Sequence, residues 1–259
     1  MTIDPSGAID VRPAADRPGS RADGVVSRHS FSFGPHYDPI NTRFGPLVTH
    51  NDDVLGVGSG FPEHAHRDLE IVTWVISGAL SHADSLGGSA ILRPGMVGRL
   101  STGGGVRHSE RNASAGDTRY IQMWVLPDAE GQPSYETADL SGALESGDFV
   151  TAASGTGGKV GGTASGGAAS GGRRAAVALR CNAAFLVARV PPGASAAIPA
   201  APLLHVYVAR GGVLLTVDAE QVQLLSEDAA RLTGAGQVWV EATTDAEVLV
   251  WAMGRAPDR

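Results

Sequence analysis

A chain of 259 residues with 35 Gly and 15 Pro, 42% hydrophobic and 5% aromatic, suits one large all-β unit or two domains, its turn-rich composition favouring short strands over long helices. The net charge of −7 has no basic block to offset it, which excludes a general nucleic-acid surface; Arg173-Arg174 is an isolated pair and reads as a solvated loop feature. The single cysteine, Cys181, excludes an intramolecular disulfide and a thiolate cluster, and within "VALRCNAAFLVARV" it reads as a small buried residue.

Residues 1–24 are rich in Pro, Asp, Arg and Gly and are expected to be loosely attached. Their opening, "MTIDPSGAIDVRPAADRPGS", lacks the basic start and apolar core of a secretory signal. No apolar run reaches the ~18 residues of a bilayer span, so a cytoplasmic protein without membrane contact is expected. Strand-like runs then recur about every ten residues: "HSFSF" (29–33), "GPLVTH" (45–50), "DDVLGVG" (52–58), "LEIVTWVISG" (69–78), "GALSHAD" (78–84), "SAILRPG" (89–95), "VGRLSTG" (97–103), "RHSERN" (107–112) and "TRYIQMWVLP" (118–127). Such spacing with Gly at the junctions predicts a sandwich or barrel.

The segment 155–172, "GTGGKVGGTASGGAASGG", is low complexity and reads as flexible coil, either a linker or an enlarged loop inside the second domain. The flanking runs "GDFVTAASG" and "RAAVALRCNAAFLVARV" both look like strands and favour the loop. Beyond it the strand-turn rhythm repeats, with "ARGGVLLTV" and "EVLVWAM" mirroring "ISGALSHAD" and "YIQMWVLP". The second copy has no His-x-His and carries only His205, so it is expected to be metal-free.

Two candidate ligand pairs stand out. Alternation along a strand puts His64 and His66 on one face, and the same holds for His108 and Glu110. On its own His-x-His is more often loop chemistry. Two such pairs on neighbouring strands would present three imidazoles and one carboxylate to a common point, a set suited to Fe(II) and also to Mn, Ni, Cu or Zn. Arg107 and Arg111 have the opposite parity and should point away. His29, His36, His50 and His82 read singly as surface or hydrogen-bonded residues, with Asp84 and Ser85 beside His82 as turn formers. Trp74 and Trp124 read most simply as core, though one could line a cavity.

"GSGFPEHAHRDLEIVTWVISG" resembles the first cupin motif, and "GMVGRLSTGGGVRHSERN", running from Gly95 through Gly103 and His108 to Asn112, the second. The second departs from the common pattern with Ser101 in place of proline, two extra residues before His108, and Glu110 two residues after it. With "FSFGPHYDP", "FGPL", "STGGGVRHSE" and "IQMWVLP", these features resemble the pirin family, specifically the bacterial pirin-like bicupins, strongly over 28–127 and in rhythm beyond.

That resemblance implies an all-β bicupin of two tandem jelly-roll barrels: a metal-binding domain at 25–140 and a degenerate one at 141–259. It implies His64, His66, His108 and Glu110 as ligands. Glu70, a ligand in many other cupins, is excluded and given a supporting role; on one extended strand it would stand about 13 Å beyond His66. The implied activity is that of a quercetin 2,3-dioxygenase, with an aromatic flavonol-like substrate, dioxygen, and Glu110 accepting the substrate hydroxyl proton. The alternative is a non-enzymatic metal- or redox-sensing regulator that binds a protein partner. A zinc-dependent sugar isomerase fits the Glu110 spacing less well. An enclosed apolar pocket of a few hundred Å³ over the metal would favour catalysis; a shallow metal site beside an exposed apolar patch would favour regulation.

Overall fold

The computed structural model describes residues 9–155 and 175–254. In chain order the strands are β1 (Asp10–Arg12), β2 (Gly19–Ala22), β3 (Val25–His29), β4 (Leu47–Leu55), β5 (Gly60–His66), β6 (Glu70–Ser77), β7 (Leu80–Asp84), β8 (Ser89–Leu92), β9 (Met96–Ser101), β10 (Val106–Asn112) and β11 (Thr118–Val125). There follow β12 (Ser134–Asp139), β13 (Val150–Gly155), β14 (Val177–Leu179), β15 (Ala183–Val190), β16 (Ser195–Ile198), β17 (Leu203–Arg210), β18 (Gly212–Val217), β19 (Glu220–Leu225), β20 (Ala229–Thr233), β21 (Val238–Ala242) and β22 (Ala246–Met253). Single 3-10 turns at Ala14–Asp16 and Ala143–Ser146 are the helical structure among the described residues, and no helix is long and apolar enough to cross a membrane.

The chain divides into two compact units, Arg17–Ser141 with Ala176–Cys181, and Met1–Asp16 with Gly142–Ala175 and Asn182–Arg259. The tandem division at 140/141 is therefore interleaved, with short segments exchanged between the two. In the first unit one sheet runs β12-β9-β6-β11-β4-β3-β2 and the other β5-β10-β7-β8, each antiparallel throughout. Val25, Leu55, Val75, Leu80, Leu92 and Tyr120 form a buried cluster drawn from both sheets. Burial of each such side chain contributes about 1.5–3 kcal/mol. In the second unit β1-β20-β17-β22-β15-β13 form one sheet and β16-β21-β18-β19 the other, around a core of mainly Val, Leu and Ala.

Three expectations need correction. The described part of 1–24 is not loose, since β1 pairs β20 (Val11↔Ala230) and β2 pairs β3 (Ser20↔Ser27); partners so distant in sequence leave no local trace in composition. "GPLVTH" and "DDVLGVG" are one nine-residue strand, β4, not two. The strand read at 29–33 lies earlier, at Val25–His29, where Val25, Ser27 and His29 alternate inward. Cys181 is buried as expected, but in the bend between β14 and β15. Residues 1–8 and 156–172 lie outside the described residues.

Close backbone approach brings β5 onto β10. A Cβ at Gly60 would sit 2.1 Å from the carbonyl oxygen of Glu110 and 2.7 Å from the Cα of Arg111. Gly60→Ala is therefore expected to force the two strands apart and destabilise the fold by roughly 1–3 kcal/mol. Denaturant unfolding checks this, and an unchanged midpoint would show that the strand pair yields freely.

Candidate metal centre

Burial alternates along β10, with Val106, His108 and Glu110 inside and Arg107 and Arg111 exposed. Arg107 faces outward to Glu63, with Nε 2.6 Å from Oε1. On β5 the pairing His108↔His64 is followed by Glu110↔Phe61, so Pro62 and Glu63 of β5 oppose the single Ser109 of β10. The extra residue is a bulge, and it contains Pro62, which has no N–H to lose from the ladder. His64 Nδ1 lies 2.8 Å from the Pro62 carbonyl oxygen and must donate to it, which leaves Nε2 as the donor atom for a ligand.

The bulge brings three imidazoles together. Ring centroids of His64, His66 and His108 lie 4.8, 4.5 and 5.0 Å apart in pairs, and one nitrogen of each falls within 4.8 Å of the other two. His66 Nε2 and both nitrogens of His108 are buried with no hydrogen-bond partner. Burial, then the nearby His64, lowers the His66 pKa to about 4. Burial, then His64, His66 and His82, lowers His108 to about 3. Neutral imidazoles with orphaned nitrogens converging on one point are the condition of a site that could hold a metal.

Glu110 enters a second such group, with His82 and His108, again with donor atoms within 4.8 Å. The structure thus brings His64, His66 and His108 together directly, and Glu110 joins them through His108. Burial pushes the Glu110 carboxyl up to about 7, opposed by a hydrogen bond from Gln122. Gln122 Nε2 donates to Glu110 Oε1 at 2.6 Å, and Trp124 Nε1 donates to Gln122 Oε1 at 3.0 Å. His82 is buried, with Nε2 3.0 Å from Asp84 Oδ2 and its ring stacked on Tyr135 at 3.9 Å. Glu70 is absent from both groups. A turn at Asp68 (φ 57°) starts a new strand in the other sheet, and Ser101 Oγ donates to Glu70 Oε1 at 2.5 Å. The separation from His66 along one strand that the sequence suggested is thus replaced by a change of strand.

A cavity of about 330 Å³ opens on His64, His66 and Glu110. Val25, Phe33, Phe61 and Trp124 supply apolar wall, while Asn51, Asp53, His29 and Gln122 supply polar wall. Trp124 therefore lines the cavity, whereas Trp74 is core at 0% exposure. His29 is buried between Ser20 Oγ (2.9 Å from Nε2) and Asn51 Oδ1 (3.0 Å from Nδ1). His50 is buried, with Nδ1 3.5 Å from Ser30 Oγ, and His205 is buried on β17 opposite Arg231 and Trp251.

The Pirin family model matches residues 11–125, the span that holds His64, His66, His108 and Glu110. A Mycobacterium tuberculosis protein provisionally named quercetin 2,3-dioxygenase is 43% identical over 248 residues, 95% of each chain. The chain belongs to the pirin family. Its fold is similar to that of the bacterial pirin YhhW of Escherichia coli in complex with nickel(II), with a TM-score of 0.81 at 25% identity over 96% of this chain and all of that one. The pirin is thus all-β, of the bicupin kind within the cupin superfamily. The Escherichia coli K12 quercetin 2,3-dioxygenase is 38% identical over 130 residues, 49% of this chain and 56% of that one. Sequence reasoning passed over Gln122 and Asp53, two polar residues of this cavity wall. The available signal was a polar residue at an inward position of a strand, in "YIQMWV" and "HNDDVL".

Proposed function

We propose that this pirin is a metal-dependent dioxygenase of the quercetin 2,3-dioxygenase type, acting on a flavonol-like or related enol substrate. The observation that carries the reading is the cavity of about 330 Å³ that gathers the imidazoles of His64 and His66, the Glu110 carboxyl and the aromatic side chains of Phe33, Phe61 and Trp124 into one space. Such a volume and lining suit a small aromatic molecule.

In this reading His64, His66, His108 and Glu110 hold one divalent transition metal, Fe(II) first, with Mn, Ni, Cu or Zn as alternatives. When bound, the metal supplies Lewis-acid polarisation of a substrate oxygen and, where redox-active, an electron relay for dioxygen. Phe33, Phe61 and Trp124 hold the substrate rings and keep water from the carboxyl. Glu110 accepts the enol proton, and Gln122 fixes which carboxylate oxygen faces the substrate. Across the whole reaction both atoms of dioxygen enter the ring-opened product and one ring carbon leaves as carbon monoxide.

The test is anaerobic loading with Fe(II), Mn, Ni or Cu in turn, followed by oxygen uptake with quercetin. Uptake with release of carbon monoxide is expected for at least one metal. No uptake with any of them would favour the alternative, a metal- or redox-sensing regulator acting on a protein partner.

A further inference from the structure

The cavity has a second polar pole that proton transfer at Glu110 leaves without a task. Asp53 is 2% exposed on β4, and its neighbours across the sheet are Ser27 of β3 and Tyr120 of β11. Its side chain lines the cavity, as does that of Ser27. The Ser27 hydroxyl donates to the Asp53 carboxyl, yet Asp53 Oδ1 is buried with no hydrogen-bond partner among the described residues. Leaving a buried acceptor unmatched is costly, and such a group retained in a cavity wall calls for a donor from outside.

Among the described residues no neighbour satisfies this oxygen: the Tyr120 hydroxyl is itself buried and makes no hydrogen bond to it, and two other polar side chains of the wall are engaged elsewhere. His29 bridges Ser20 and Asn51, and Gln122 bridges Trp124 and Glu110. Burial first, then the charges of Glu110 and Asp52, push the Asp53 carboxyl up to about 7 against the Ser27 hydrogen bond and the Arg17 charge. Two acidic groups in one apolar-walled space disfavour an anionic ligand function at this pole. A neutral donor such as a hydroxyl meets the open oxygen without adding charge.

We infer that Asp53, backed by Ser27, is the hydroxyl-recognition residue of the cavity. It accepts a hydrogen bond from a ring hydroxyl of an aromatic ligand whose enol end lies at His64, His66 and Glu110. This rests on the flavonol reading above and sharpens it, because the site then selects polyhydroxylated aromatics over singly hydroxylated ones.

The experiment compares anaerobic binding of quercetin and of 3-hydroxyflavone, which keeps the enol and lacks the other hydroxyls, to Fe(II)-loaded protein. Quenching of tryptophan fluorescence reads both, since Trp124 lines the cavity. Quercetin is expected to bind roughly 10–100-fold more tightly, as a hydrogen bond to a carboxylate implies. Asp53→Leu, which replaces the carboxyl with an apolar group of similar size, should erase that preference by weakening quercetin alone. Asp53→Asn, which keeps the shape and weakens the acceptor, should reduce it several-fold. Iron content should stay at the wild-type level in both variants. Retention of the full preference in either folded variant, or equal affinities in the wild type, overturns the assignment while leaving the flavonol reading intact. Failure of both flavonols to bind wild-type protein sinks that reading, and the assignment with it.

Discussion

His64→Ala combined with His66→Ala is expected to abolish stoichiometric metal binding. Both side chains leave the same face of β5, and the carboxylate within the bulge, Glu63, is turned outward to Arg107. What remains is the group His82, His108 and Glu110, in which His82 Nε2 is engaged by Asp84 and Glu110 Oε1 by Gln122, so too few free donor atoms are left to keep an ion through dialysis. Wild-type protein dialysed after anaerobic Fe(II) loading should keep about one ion per chain, the variant essentially none. The thermal response checks the same point independently. Metal at a thousand times its Kd stabilises a folded site by about 4 kcal/mol, so the rise in Tm on adding metal should vanish in the variant. The metal-free variant should unfold close to the metal-free wild type, because His66 Nε2 has no hydrogen-bond partner among the described residues and His64 gives up a single exposed bond, to the Pro62 carbonyl oxygen. One ion per chain surviving the double change would place the site elsewhere.

What the sequence made legible was whatever obeys alternation. His64 with His66, and His108 with Glu110, are two residues apart on strands, and the parity that puts each pair on one face is visible in the letters. The same rule turned Arg107 and Arg111 outward. It failed where the interior itself is polar. β4 is buried through Asn51, Asp52 and Asp53, so its apolar pattern breaks in the middle and the strand reads as two. β3 carries Ser27 and His29 inward, and the better-looking "HSFSF" drew the assignment a few residues too far on. Both misreadings fall on the wall of the cavity, where polar groups replace core for the sake of a ligand. The Asp68 turn that moves Glu70 into the other sheet, and the distant partner strand of β1, rest on backbone conformation and long-range pairing. Neither has a local signature.

Glu110→Gln separates holding a metal from moving a proton. The amide keeps the carboxylate's shape and can still accept from Gln122 Nε2 through its oxygen, so the Trp124–Gln122 chain need not rearrange. In the proposed reaction the loss is the basic oxygen that would take the enol proton, and turnover should fall by about 10²–10⁴ at saturating substrate and metal. Three imidazoles remain, so a variant loaded with metal in excess should regain bound ion without regaining turnover. Gln122→Leu gives the contrasting pattern. It leaves the base in place but strips Glu110 Oε1 of its donor and Trp124 Nε1 of its acceptor. Metal affinity should then drop by about 10–100-fold, as for other residues that orient a ligand, and excess metal should restore most of the turnover. If excess metal instead restores turnover in Glu110→Gln as well, Glu110 acts only as a ligand. The enol proton must then be taken by another group of the cavity, and Asp53, buried on the facing sheet with one oxygen open, becomes the residue to replace next.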